Sequence, residues 1–444
     1  MASKPLPLPL LFFCSLCLLS LSLMGQQPVT HTDESKVPAY LLLPDPLTLE
    51  NGEEVEDAAA WQNRRRPEVL SLFETHVYGR TPKQMPATAY RVVEEDRNAL
   101  NGMAIRKQVV ISFPGAAASK SILVLIYLPK NAKRVPLFVG LNFQGNPSVH
   151  TDEAILTPQQ VEKWMQKGGV KGGISATASV IAAQSGIAPE SIIRGAQAGR
   201  WPIEEILKRG YGVATAHYQQ IYADKADGFS ESLATLFYKE GQKPGPDEWG
   251  AIGVWAWGLS RILDYVETDK TMDAKRVVLH GHSRLGKAAL WAGALDSRFA
   301  IVVSNNSGCG GAALSQRGFG ETVERINSSF PHWFCTNFRE YNKNERALPV
   351  DQHQLIALIA PRPVYIASAS EDLWADPKGE FLSGVYASEV YNLFGVEGLS
   401  GQSVPPLHTP SMGYVGYHIR EGKHDITLYD WQQYMNFADK YLSK

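Results

Sequence analysis

The chain has 444 residues, 44% hydrophobic and 20% charged, with a formal net charge of -2 at pH 7. A chain of this size and composition closes a sizeable core without metal or disulfide staples. It also lacks the basic stripe that a nucleic-acid partner requires.

Lys4 is the only charged side chain before Gln26, Leu8 to Met24 is almost wholly apolar, and the small Gly25 follows. This is the pattern of a secretory signal peptide over residues 1–25. The stretch is short for a spanning helix, and an uncleaved anchor is the alternative. A secreted or periplasmic protein with no membrane association after cleavage is therefore expected. Cys14 and Cys17 lie inside the apolar stretch, and neither follows a small residue as a lipoprotein cysteine does. Cys309 and Cys335 remain; they could pair in an oxidising compartment, but two cysteines are no disulfide framework.

Residues 26–444 are expected to form a single α/β unit. After a polar arm, residues 61–78 carry a helical pattern with Leu70, Leu72 and Phe73 on the apolar side. The run Arg64-Arg65-Arg66 reads there as a solvated helix face rather than a phosphate site. Beyond it, short β-rich runs alternate with helical stretches, which predicts a mostly parallel sheet flanked by helices. Eight strands are predicted, at 105–113, 121–128, 137–142, 212–218, 276–281, 300–304, 364–369 and 415–419. The middle ones are Val, Ile and Leu runs with little alternation, as strands covered on both faces require. Helices are expected over 248–267, with Trp255 and Trp257, and over 427–442, with Trp431, Tyr434 and Phe437; these aromatics are assigned to packing. Residues 144–209, rich in Gly, Ala and Ser, are expected to be an inserted loop or lid.

The fifth predicted strand runs into Gly281-His282-Ser283-Arg284-Leu285-Gly286-Lys287, followed by a helical pattern over 288–295. A serine at a strand-to-helix turn is held on a strained backbone with its hydroxyl above the sheet. The next backbone N–H and the positive helix end lie beside it. The usual elbow has glycine two residues after the serine; here Leu285 stands there and Gly286 follows. Serine needs a base, and the base needs a carboxylate, each on a loop after a later strand. Asp372 follows the seventh predicted strand and His424 the eighth. Glu371 is an alternative acid. His408 precedes the last predicted strand and His418 lies inside it, which leaves His424 as the histidine on the loop.

The serine motif resembles the Gly-x-Ser-Arg-x-Gly-Lys signature of glucuronoyl esterases, carbohydrate esterase family 15. The resemblance extends to Arg65-Arg66-Pro67-Glu68 with Val77-Tyr78-Gly79, and to Ser307-Gly308-Cys309-Gly310-Gly311. It also takes in Leu355-Ile356-Ala357-Leu358-Ile359-Ala360-Pro361-Arg362 and Trp374-Ala375-Asp376-Pro377, so that it spans the chain from about residue 37 onward. It is closer to the bacterial members than to the fungal ones. It implies an α/β-hydrolase fold and cleavage of the ester between glucuronic acid on xylan and lignin alcohols. By position, Ser283 resembles the nucleophile, His424 the base and Arg284 the side chain that helps hold the oxyanion. Lys287, Glu321 and Trp374 resemble the groups that grip the sugar. Fungal members carry their triad acid just before the Ser-Gly-x-Gly-Gly loop, where this chain has the uncharged Asn306; the acid is then Asp372.

The expected partner is thus a glucuronoxylan or lignin–carbohydrate ester acted on by a monomer, with no nucleic acid. No cofactor or metal is expected, since no phosphate loop, His-Glu-x-x-His or paired-Cys motif occurs. A carbohydrate acetyl esterase or general carboxylesterase on the same scaffold is the second reading. A carbohydrate-binding protein with a decayed site, hinted at by Asn306, is the third.

Overall fold

The computed structural model describes residues 30–117, 120–131, 133–157, 160 and 193–442. The expected signal peptide, with Cys14 and Cys17, and much of the expected insertion at 144–209 lie outside the described residues.

The Val-, Ile- and Leu-rich runs pair into one ten-stranded sheet. Its strands are β1 Ala89–Asn98, β2 Ala104–Ser112, β3 Ser121–Pro129, β4 Val135–Asn142, β5 Gly212–His217, β6 Met272–His282, β7 Ile301–Asn305, β8 Val364–Ala369, β9 Ser411–Met412 and β10 Val415–Arg420. They lie in the order β1-β2-β3-β5-β4-β6-β7-β8-β10-β9. Strands β5, β4, β6, β7, β8 and β10 are mutually parallel, while β1, β2 and β3 continue the sheet antiparallel and β9 closes the far edge.

Among the described residues the sheet therefore has ten strands where the sequence predicts eight; the two unforeseen ones are edges. β1 (Ala-Tyr-Arg-Val-Val-Glu-Glu-Asp-Arg-Asn) is mostly exposed and carries charges, the usual protection of an edge against further pairing. Its register slips between Val92 and Glu94. β9 is two residues long and leaves no periodic signal.

Neighbouring residues on the central strands face opposite cores. Leu137 and Val139 of β4, Leu279 of β6 and Val302 of β7 enter one apolar cluster, and Phe138, Val278 and Val303 enter the other. Side chains alternate across a strand, so a strand apolar at every position must be covered on both faces. Helices α1 Arg66–His76, α2 Ala251–Thr268, α3 Arg284–Leu295 and α4 Pro377–Leu393 pack on the first face, and α5 Leu428–Tyr441 on the second. Trp255 and Trp257 of α2, and Trp431, Tyr434 and Phe437 of α5, are buried packing residues. The result is a three-layer αβα sandwich, the α/β-hydrolase fold.

Packing corrects part of one expectation and closes one open question. Arg64 is exposed and pairs with Glu53, as a solvated face would, but Arg65 is buried and donates to the carbonyls of Asp45 and Pro46, and Arg66 donates to those of Ala294 and Leu358, so these two anchor backbone. Cys309 and Cys335 are buried free thiols, not a disulfide. Among the described residues, no helix is long and apolar enough to cross a membrane.

Candidate active site

Strand β6 ends at His282 and α3 starts at Arg284, which leaves Ser283 to make the whole turn at φ 57°, ψ -130°. A non-glycine residue adopts this region only under strain that the surroundings sustain. The surroundings here are glycines. A Cβ at Gly281 would lie 2.0 Å from the Leu285 carbonyl oxygen, so only glycine lets the helix fold back on the strand. A Cβ at Gly286 would lie 3.0 Å from Ser307 Cβ and 3.2 Å from Ser304 Oγ. The glycine one place later than usual thus serves the close approach of α3 to the loop after β7. The Ser283 N–H donates to the Asn305 carbonyl at 2.9 Å, which ties the turn to β7.

The loop after β10 presents His424, and its Nδ1 lies 2.6 Å from Asp372 Oδ2 on the loop after β8. The same oxygen accepts from Asn306 Nδ2 at 2.9 Å. Glu371, the alternative acid, is exposed, and Asp372 is buried. On the other side of His424 the ring of His282 lies 4.6 Å away, with its Nδ1 2.6 Å from Asn305 Oδ1. Burial holds the His282 imidazole well below its ordinary pKa, and the nearby His424 and Arg200 add to the effect. It is a neutral packing surface. Arg200 Nε, from the described end of the 144–209 region, donates to Asp425 Oδ1 at 2.6 Å and braces the His424 loop. His418 is fully buried 2.9 Å from Asp430, a satisfied core pair away from the serine turn.

One cleft of about 280 Å³ is lined by the expected nucleophile, base, acid, oxyanion and sugar-binding residues: Ser283, His424, Asp372, Arg284, Lys287, Glu321 and Trp374. Lys287 is buried, and its ammonium donates to the carbonyls of Ser307 at 2.5 Å and Cys309 at 2.7 Å, with Glu321 Oε2 at 3.9 Å. Burial lowers the pKa of Lys287, opposed by Glu321; burial raises that of Glu321, opposed by Lys287. Trp374 is half-exposed at the rim, and its carbonyl accepts from the Glu321 N–H at 3.1 Å.

Several groups here are silent in the sequence. Arg284 pairs with Asp224 and lies over the rings of Trp333, at 4.6 Å, and Phe330, at 5.3 Å. Burial alone would raise Asp224, but hydrogen bonds from His332 and Trp333 and the charge of Arg284 hold it down to about 2. Glu380, fully buried on α4, accepts from the N–H groups of Ser307 at 2.7 Å and Gly308 at 3.0 Å and from Ser368 Oγ at 2.6 Å. Burial pushes its carboxyl up to about 8, against these hydrogen bonds and helped by the nearby Asp372. The aromatic run Phe330-Pro331-His332-Trp333-Phe334 is the one local signal that could have flagged the Arg284 wall. Among the described residues, no group of three or more His, Cys, Asp or Glu is placed to hold a metal ion.

Residues 166–395 match the family described as "Glucuronyl esterase, fungi". The chain is 47% identical over 413 residues to carbohydrate esterase MZ0003 from an unknown prokaryotic organism, covering 93% of this chain and 92% of that protein. A promiscuous CE15 esterase from a marine bacterial metagenome superposes with a TM-score of 0.81 at 45% identity, over 93% of this chain and 100% of that one. The glucuronoyl esterase of Solibacter usitatus gives a TM-score of 0.81 at 45% identity, over 91% of this chain and 99% of that one. With the serine elbow, the His424–Asp372 pair and these likenesses together, the chain belongs to the glucuronoyl esterases, carbohydrate esterase family 15.

Proposed function

We propose that the protein is a serine esterase that hydrolyses the ester between (4-O-methyl-)glucuronic acid of glucuronoxylan and lignin alcohols, through an acyl-enzyme on Ser283. The observation that carries the reading is the 2.6 Å contact between His424 Nδ1 and Asp372 Oδ2 in the cleft that also holds Ser283. With Nδ1–H donated to Asp372, Nε2 of His424 is the free base. It takes the Ser283 proton as Oγ attacks the ester carbonyl, and the carbonyl electrons move to the oxygen. Arg284 and the Arg284 backbone N–H, the first of α3, stabilise that oxyanion. Collapse expels the alcohol, which receives the proton from the imidazolium. Water, deprotonated by His424, then releases the glucuronate and restores Ser283. Lys287, Glu321 and Trp374 hold the sugar: a cation and a carboxyl for hydroxyls, and an apolar ring at the rim.

A methyl ester of glucuronate should be turned over far faster than a simple acetyl ester, and a fluorophosphonate should label Ser283. Equal rates on the two esters would sink the substrate assignment and leave the esterase. The second reading, a wider carboxylesterase, is favoured by the promiscuity ascribed to the marine relative; comparison of acetylated xylan with the glucuronate ester decides between them. The apolar leader supports export, which the N-terminal sequence of the mature protein would test.

A further inference from the structure

Asp224 stands on the loop after β5, and its side chain is 5% exposed. Four donors converge on its carboxylate. Oδ2 takes Nη1 of Arg284 and the hydroxyl of Tyr218 at 3.0 Å. Oδ1 takes Nε2 of His332 at 2.8 Å and Nε1 of Trp333 at 2.7 Å. The indole that donates to Asp224 is also the ring beneath Arg284, and Phe330 stacks on that indole with centroids 3.7 Å apart and planes 3° apart. Arg284 is thus fixed twice, at one nitrogen by Asp224 and across its face by Trp333. A guanidinium is planar with its N–H bonds in a rigid fork, so one nitrogen and the plane together set the direction of every other N–H. One of those, Nε–H, is buried and has no hydrogen-bond partner among the described residues. Arg284 lines the cleft beside Ser283.

We infer that Asp224 is a positioning residue for ester hydrolysis: it anchors Arg284 flat on Trp333 so that the uncommitted N–H edge of the guanidinium is aimed at the oxyanion before substrate arrives. The inference rests on the reading above that Arg284 stabilises that oxyanion. The carboxylate partially offsets the arginine charge, which by itself would weaken the pull on a developing anion. What it supplies is fixed direction, and a donor that need not reorganise during the reaction is worth more than a stronger one that must. With its carboxyl held down to about 2 by these donors and the Arg284 charge, the anchor is charged at neutral pH.

The test is a double-mutant cycle on the methyl ester of glucuronate, with kcat and KM measured for the wild type, Asp224→Asn, Arg284→Ala and the pair. Losing an oxyanion donor outright costs about 10² to 10³ in rate, so Arg284→Ala should fall by that much. Asp224→Asn removes the charge and leaves one acceptor oxygen where two served four donors; it should lower kcat by about 10- to 100-fold with KM within about 2-fold, since a misdirected donor retains part of its effect. The double variant should be no slower than Arg284→Ala alone. Losses that multiply would overturn the inference, because Asp224 would then act by some other route, such as general support of segment 330–333. A kcat for Asp224→Asn within about 2-fold of wild type would overturn it too. If Arg284→Ala kept the wild-type rate, the oxyanion reading would fail first and the inference with it. Should Asp224→Asn not fold, Trp333→Phe keeps a ring under Arg284 but removes one donor to Asp224. It should lower kcat by a smaller factor, about 3- to 10-fold, and should likewise add nothing to Arg284→Ala.

Discussion

Asp372→Asn removes one charge and keeps the side-chain shape, which isolates what the carboxylate does for His424. During acylation the imidazole becomes an imidazolium, 2.6 Å from Asp372 Oδ2. Two unit charges with centres about 4 Å apart at an effective dielectric of about 20 interact by about 4 kcal/mol, which is about 10³ in rate. Asp372 is 5% exposed but the His424 side chain is 42% exposed, so solvent screens part of this. The expected fall in kcat is about 10²- to 10³-fold. Asn306 cannot make it good. Its amide already donates to Oδ2, and it offers no charge to replace the one removed. The assay is steady-state hydrolysis of the methyl ester of glucuronate near neutral pH, with the thermal midpoint as a folding control and Glu371→Gln alongside. Retention of more than about a tenth of kcat by Asp372→Asn, or an equal loss from Glu371→Gln, would refute the assignment of the acid.

Gly281→Ala should abolish activity and cost about 3 kcal/mol, because its Cβ would meet the Leu285 carbonyl at 2.0 Å. Gly199→Ala, with nothing within 4 Å of its Cβ, should stay within about 0.5 kcal/mol of wild type in a denaturant titration. Glu380 should make stability depend on pH. Its folded-state carboxyl is raised from 4.5 to about 8, so its protonated form favours the fold; that stability is complete below about pH 4.5 and lost as the pH climbs through about 8. The unfolding free energy of the wild type, read from denaturant titrations, should fall across this window by up to about 1.4 kcal/mol per pH unit, and Glu380→Gln should flatten the profile; parallel profiles would exclude Glu380 as the source. Lys287→Met strips the donor from two buried carbonyls and the cation from Glu321. It should destabilise by about 2–4 kcal/mol and raise KM for the glucuronate ester more than it lowers kcat, as denaturation and steady-state kinetics would report.

The central strands were legible in the sequence because a strand covered on both faces must be apolar at every position. The run Val277-Val278-Leu279 announces β6 before any partner is known. The serine turn was legible because its glycine is forced: no other residue fits at 281. β1 was not legible, since an edge strand protects itself with the same charges that mark a loop, and its identity comes only from pairing with β2.

The chain by itself determined which residue types could make an esterase, their order, and the turn that strains Ser283. Folding decided which of two adjacent carboxylates meets His424. Glu371 and Asp372 are chain neighbours of nearly equal chemistry, yet Asp372 is turned inward to Asn306 and His424 while Glu371 stays in solvent. Folding also decided what stands behind Arg284. Asp224 lies 60 residues before it and His332 and Trp333 follow far beyond it, so no local pattern links them. Local sequence fixes backbone conformation through sterics between near neighbours. The field at a buried charge is summed over groups brought close by the whole fold, and that sum exists only in three dimensions.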